Sequence, residues 1–143
     1  MYAEKMFIPS VLLGAFLGLV CTMAFAGDWS QPDWSLALLL AVLLSKPKTW
    51  IWLLPSVGMH DLFLYWSVWG VFPFAVLSVI LIFYTDKKIG PGQPQRWAAL
   101  MLHVYALWLT GLDVLSLFLT FTLSVWLWFV FSSSREKVYV EPA

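Results

Sequence analysis

Residues 31–47 read QPDWSLALLLAVLLSKP, an apolar run with a proline near each end. Asp33 stands where a helix N-cap is expected, with its carboxylate near the positive end of the helix. Lys46 is favourable at the C-terminal end, and Pro47 cannot continue the helix. These start and stop signals predict a helix over residues 34–46 with a length of ~20 Å. A crossing of the ~30 Å hydrocarbon core takes about 20 residues, so the helix is unusually short for a membrane span.

The composition indicates a membrane protein. Of 143 residues, 62% are hydrophobic and 11% are charged, whereas soluble domains carry about 25% charged residues. So few polar side chains cannot cover a water-soluble core. We therefore predict an all-α, polytopic transmembrane bundle that forms a single domain over residues 1–143.

The N-terminal apolar run has two interpretations. Ala24-Phe25-Ala26 matches the small-residue pattern of a signal-peptide cleavage site. The run over residues 6–26 is long for the apolar part of a signal peptide, so we interpret it as the first transmembrane helix. Cys21 is the one cysteine, which excludes a disulfide within the chain and a cysteine-rich metal site.

The basic residues predict the topology. They fall in four clusters separated by apolar stretches: Lys5; Lys46 and Lys48; Lys87, Lys88 and Arg96; Arg135 and Lys137. The apolar stretch between the second and third clusters and the one between the third and fourth are each long enough for a helical hairpin. All clusters therefore return to one side of the membrane, which is cytoplasmic by the positive-inside rule. We predict six short helices with both termini cytoplasmic, over residues 6–26, 34–46, 49–67, 70–85, 97–111 and 114–133.

Few residues suggest chemistry. The chain has no phosphate-binding glycine loop, no His-x-x-x-His pair and no nucleophile elbow. A metal site from His60, Asp61 and His103 is conceivable, but adjacent helix positions point ~100° apart. We expect no catalytic residue, no metal, no cofactor and no nucleic-acid partner.

Asp61 stands out because an acid within a bilayer span is costly and usually faces protein or water. We expect it to lie near the outer end of the third helix and to cap or hydrogen-bond a neighbour. A contact with a partner protein and a proton or ion pathway are the alternatives. The sequence shows no intramembrane basic partner for it, and His60 is expected to be a packed, hydrogen-bonded histidine.

Several of these features resemble the MreD family of rod-shape-determining inner-membrane proteins. The features are the helix start Pro32-Asp33-Trp34, the helix end at Pro47, the pair Asp61-Leu62 and the turn at Gly70. The match covers about residues 31–85. The third helix departs from the family because Pro55 and Gly58 replace a glycine-rich stretch.

The resemblance implies a non-enzymatic scaffold subunit of the cell-shape and peptidoglycan-elongation machinery in the bacterial inner membrane. Its partners would be the lipid bilayer and integral membrane proteins, namely MreC-like proteins and wall-elongation enzymes. It also implies a fold similar to that of the S-components of vitamin importers, which have six short helices as well. The residues expected to bind partners or organise the fold are Pro32, Asp33, Trp34, Pro47, Asp61 and Gly70.

Two other functions stay open at this point. Ten tryptophans are typical of aromatic belts at the membrane interface, but they also fit an accessory subunit of a large respiratory or photosynthetic complex. A small-molecule transport component is the third hypothesis, and it predicts a polar pocket at mid-membrane.

Overall fold

The computed structural model describes the backbone of residues 2–140 and the side chains of residues 7–132. This part of the chain has six α-helices, one short 3-10 helix and no strand. The α-helices are α1 (Tyr2–Ala24), α2 (Trp34–Ser45), α3 (Trp50–Tyr65), α4 (Phe72–Lys88), α5 (Gln93–Leu109) and α6 (Val114–Val140); the 3-10 helix covers Pro47–Thr49. The predicted all-helical class with six helices is confirmed.

The bounds of the helices differ from the prediction at the two ends of the chain, where α1 begins at Tyr2 and α6 continues to Val140, and between α4 and α5. The predicted loop over residues 85–96 shrinks to residues 89–92, because α4 continues to Lys88 and α5 begins at Gln93. The predicted start of this helix at residue 97 is wrong, and Pro94 does not exclude a helix there. It lies in the first turn of α5, where a proline is tolerated because the missing N–H has no partner within the helix.

The short helix α2 is the centre of the bundle. Ten of its twelve residues are buried, and its most extensive contacts are with α6 and α1. α2 therefore packs against other helices along its length. Because neighbouring helices shield α2, it can be shorter than a membrane-spanning helix that contacts lipid.

Two glycines allow α1 to approach α2 closely. A Cβ atom at Gly18 would lie 2.7 Å from the backbone nitrogen of Ser35, and one at Gly14 would lie 2.8 Å from Cδ2 of Leu38. The spacing is that of a GxxxG motif, which brings transmembrane helices into backbone contact. Sequence analysis missed this motif, although Gly14 and Gly18 stand four residues apart in the sequence.

α6 meets α2 through a stripe of small polar residues. Ser116, Thr120 and Ser124 recur every fourth residue and are all buried, and the larger Trp128 is buried one turn further on, so the four residues lie on one face of the helix. The Oγ1 atom of Thr120 accepts a hydrogen bond from the backbone N–H of Asp33 over 2.9 Å. This stripe joins the last helix to the start of α2.

The helices alternate in direction, so their connections collect at two ends of the bundle. We call the end with residues 25–33, 66–71 and 110–113 the aspartate end, since Asp33, Asp61 and Asp113 lie there. Hydrogen bonds from these segments to one another and to the adjacent turns of α3 and α6 hold the end together. The opposite end, with residues 46–49 and 89–92, is called the lysine end.

Within the described part of the chain, two helices are long and apolar enough to cross a membrane, over Phe7–Ala24 and Val114–Ser132. Large apolar side chains are exposed along the helices, including Leu13, Phe16, Ile80, Phe118 and Trp126. Lys5, Arg135 and Lys137, which the topology argument uses, lie outside the described side chains.

Candidate functional site: a buried Asp–His–Asp network

The aspartate end contains a closed network of ionisable side chains. Asp33, at the start of α2, and the neighbours His60 and Asp61, in the last turns of α3, come together there. All three side chains are buried, with 0% exposure for His60 and Asp61 and 4% for Asp33. A cluster of this kind is stable in an apolar interior only if every polar atom has a partner.

Asp33 connects α2 to α3. Its Oδ1 atom accepts a hydrogen bond from the backbone N–H of Leu36 over 3.2 Å, so the predicted N-cap is confirmed. Its Oδ2 atom lies 2.7 Å from Nε2 of His60. One carboxylate thus caps its own helix and binds the neighbouring helix.

Asp61 connects α3 to α4. Its Oδ1 atom lies 3.0 Å from Nδ1 of His60. Its Oδ2 atom accepts hydrogen bonds from the backbone N–H groups of Val71 and Phe72, over 2.8 and 2.7 Å. These are the first N–H groups of α4, which otherwise have no partner within the helix. The expectation that Asp61 caps or hydrogen-bonds a neighbour is confirmed.

The expectation that Asp61 has no basic partner is wrong. His60 lies between the two carboxylates, and each ring nitrogen faces one of them. Each of these two contacts needs one proton between nitrogen and oxygen. The network therefore holds two protons, which is equivalent to an imidazolium between two carboxylates and leaves one net negative charge. The positive ends of α2 and α4 compensate that charge.

The glycine turn at Gly70 completes the packing around this network. A Cβ atom at Gly70 would lie 2.6 Å from Cδ2 of Tyr65 and 3.3 Å from Cγ of Asp61. The ring of Tyr65 stands edge-on to His60, with 6.0 Å between the ring centroids. A side chain at position 70 would push this ring or the Asp61 carboxyl group out of place.

A second, exposed carboxylate lies beside the network. Asp113 precedes α6 and accepts hydrogen bonds from the backbone N–H of Ser116 over 3.1 Å and from the hydroxyl groups of Ser116 and Ser30 over 2.8 and 2.9 Å. These bonds, the one from the Ser116 hydroxyl first, hold the pKa of Asp113 below its usual value. Asp113 thus joins the first turn of α6 to the segment that leads into α2.

The predicted site residues separate into two groups. Asp33, Asp61 and Gly70 come together in the network, with the buried Pro32 directly before Asp33. Trp34 points partly outward and donates a hydrogen bond from Nε1 to Oε1 of Gln31. Pro47 lies at the lysine end, in the first position of the 3-10 helix, about 18 Å away along α2. A partner-binding role for any of them stays a prediction.

Sequence analysis missed the bridging role of His60. Asp33 and His60 are 27 residues apart, so no local spacing connects them. The signal was the short turn between the predicted second and third helices, since a turn of this length makes the two helices an antiparallel hairpin. Folding that hairpin places the start of one helix beside the end of the other.

His103 does not join the network through a hydrogen bond. It is buried on α5, where its Nδ1 donates a hydrogen bond to the backbone oxygen of Ala99 over 2.9 Å. Among the described residues, no group of three or more His, Cys, Asp or Glu is arranged to hold a metal ion.

The arrangement is suited to holding helices together. All four carboxylate oxygens of Asp33 and Asp61 have donors. Among the described side chains, those hydrogen-bonded to His60 are the two aspartates, and neither is a hydroxyl or thiol nucleophile. No protein-family model, curated protein or solved structure matches the chain. The proposals below therefore depend on the geometry and on the resemblance of the sequence.

Proposed function

We propose that the chain is a multi-pass protein of the bacterial inner membrane and acts as a non-enzymatic scaffold in the cell-shape and peptidoglycan-elongation machinery. Its six helices would cross the bilayer with both termini in the cytoplasm. The lysine end then faces the cytoplasm and the aspartate end the opposite side, as the positive-inside rule requires.

The observation that carries the proposal is the convergence at the aspartate end. The features that resemble the MreD family are separate in the sequence, yet Asp33, Asp61 and Gly70 meet in one buried cluster. Because these residues hold one another in position, a fold shared with the MreD family would explain why they occur together in the sequence. The network fixes the relative positions of α2, α3 and α4, as a rigid scaffold needs.

The exposed apolar surface supports the proposal that the protein is embedded in the membrane and binds other membrane proteins. Trp66 and Trp69, at the aspartate end, are 91% and 81% exposed. Soluble monomers rarely expose large contiguous apolar patches, and tryptophan is enriched where a membrane meets water. The same surface could seat the helices of MreC-like proteins or wall-elongation enzymes.

Topology is tested first, with single cysteines in a Cys21→Ala background. We expect Val68→Cys, at the aspartate end, to react with a membrane-impermeant maleimide in intact spheroplasts. Gln93→Cys, at the lysine end, should react only after lysis. Labelling of both positions, or of position 93 alone, would contradict the proposed orientation.

The partner is tested by purifying the tagged full-length protein in a mild detergent and identifying co-purified proteins by mass spectrometry. Recovery of MreC-like proteins and wall-elongation enzymes is expected. Trp34→Ala should lower that recovery without unfolding the protein, while Trp29→Ala, also exposed at the aspartate end, serves as the matched control. Recovery of respiratory or photosynthetic subunits instead would refute the assignment.

A further inference from the structure

A groove at the lysine end combines an apolar surface with unpaired positive charge. It encloses about 480 Å³ between the start of α3 and the end of α4. Its lining is Trp50, Val79, Ile80, Phe83, Tyr84 and Lys87. It opens to the side of the bundle, where a membrane protein meets lipid.

Aromatic contacts shape one wall of this groove. The rings of Trp50 and Phe83 pack edge to face with 6.4 Å between centroids, which fixes the start of α3 against α4. Ile80 and Tyr84, one turn apart on α4, are exposed. The result is an apolar channel along α4 that a flexible hydrocarbon chain can follow.

The lysines at the end of the channel form no ion pair with any described carboxylate. Among the described residues, Lys48, Lys87 and Lys88 have no carboxylate within salt-bridge distance, whereas Arg96 is paired with Asp86. Lys87 lines the groove itself. The 3-10 helix that carries Lys48 packs against α4, so Lys48 adds to the positive charge on this side.

The geometry points to a binding site for one anionic phospholipid. Its acyl chain would lie along Ile80 and Phe83, and its phosphate would meet the ammonium group of Lys87. This inference uses the membrane location but not the identity of the protein partners. A helix of a partner protein fits less well, because covering Lys87 with apolar surface would leave a buried charge without a counterion. A lysine stem buried with its amine at a headgroup is a common arrangement.

The test measures lipid affinity of the full-length protein in neutral detergent by native mass spectrometry. The probes are phosphatidylglycerol and phosphatidylcholine with identical acyl chains. We expect phosphatidylglycerol to bind at least five-fold more tightly. Lys87→Gln should weaken phosphatidylglycerol binding roughly five-fold, the effect of one lysine near an anionic headgroup, and leave phosphatidylcholine unchanged.

Two further variants separate a groove from a general field of positive charge. Lys46→Gln removes the same charge at the same end, but the Lys46 amine lies over the ring of Phe7 on α1, 4.0 Å from its centroid. It should change the affinity less than Lys87→Gln. Ile80→Trp fills the groove at an exposed position and should weaken the binding of both lipids.

Equal losses for Lys46→Gln and Lys87→Gln would overturn the site in favour of a diffuse electrostatic effect. Unchanged lipid binding in Ile80→Trp would place the lipid elsewhere. If Ile80→Trp changed the oligomeric mass but not lipid retention, the groove would be an interface between proteins, and the inference would be wrong.

Discussion

The two ends of the bundle stabilise their helix termini in different ways. At the aspartate end, α2, α4 and α6 each begin with N–H groups that donate to an aspartate: Asp33, Asp61 and Asp113. At the lysine end, α3 and α5 begin without a side-chain cap. Asp86 and Arg96 form an ion pair at this end, and both side chains are partly exposed.

For the buried starts of α2 and α4, the difference follows from solvation. Buried helix termini need partners from the protein, because an unsatisfied N–H group costs about 1–3 kcal/mol. Partly exposed termini can use water or lipid headgroups. The aspartate end is therefore expected to carry most of the specificity of helix packing. The lysine end is available for electrostatic contacts with its surroundings.

The largest effect is expected for Asp61→Ala. This change leaves the N–H groups of Val71 and Phe72 and one ring nitrogen of His60 without partners. Breaking a buried ion pair from one side costs about 3–5 kcal/mol. Reversible unfolding in detergent micelles measures the loss. Asp28→Ala, at an exposed position, should change the free energy of unfolding by less than ~0.5 kcal/mol.

Asp61→Asn sharpens the same comparison. The introduced amide can accept from the N–H groups of α4 and donate to Nδ1 of a neutral His60, which then donates from Nε2 to Asp33. We expect a cost of about 1 kcal/mol, well below that of the alanine variant. Equal costs for the two variants would show that charge, and not hydrogen bonding, holds the network together.

The next effect concerns Gly70. Gly70→Ala places a Cβ atom within 2.6 Å of the Tyr65 ring, and overpacking of this kind costs about 1–3 kcal/mol. Gly58→Ala is the matched control, since its Cβ atom would meet Phe72 at an ordinary 3.7 Å. That control should be neutral or slightly stabilising, because alanine favours a helix over glycine.

The α1–α2 contact allows a similar comparison. Gly18→Ala drives a Cβ atom into the backbone of Ser35, whereas Gly14→Ala meets only the far end of the Leu38 side chain. A side chain can rotate away and a backbone cannot, so Gly18→Ala is expected to cost about 1–3 kcal/mol and Gly14→Ala less. Thermal unfolding of both variants in the same detergent decides the order.

The smallest effect is expected at the lysine end. Hydrogen bonds from Arg96 hold the pKa of Asp86 below its usual value. The ion pair therefore contributes fully above the unfolded pKa of about 3.9, and the contribution is lost as the pH falls through the lower folded pKa. Asp86→Asn should cost at most ~1 kcal/mol at pH 7.

The difference between wild type and Asp86→Asn should shrink below about pH 4. Arg96→Gln should destabilise by a similar amount at pH 7. Stability curves from pH 3 to 7 test both statements. A difference that stays constant down to pH 3 would contradict the proposed linkage to Asp86.

Residue types and their order were sufficient to predict much of the fold. The apolar runs predicted six helices, and Pro32-Asp33 and Lys46-Pro47 predicted the bounds of α2 to within a residue. These features are local, because capping and helix termination depend on residues only a few positions apart. The expectation that Asp61 binds a neighbour came from the cost of burying an acid, and the neighbour is the start of α4.

Only the tertiary structure decided what the short helix and the acids do. α2 can be short because it lies inside the bundle. Its position there depends on where α1 and α6 pack. Asp33 and His60 meet across 27 residues of sequence, and the stripe on α6 reaches Asp33 across 87. Sequence patterns report the environment of a residue within a few turns. The partners of a buried charge are set by the packing of distant helices.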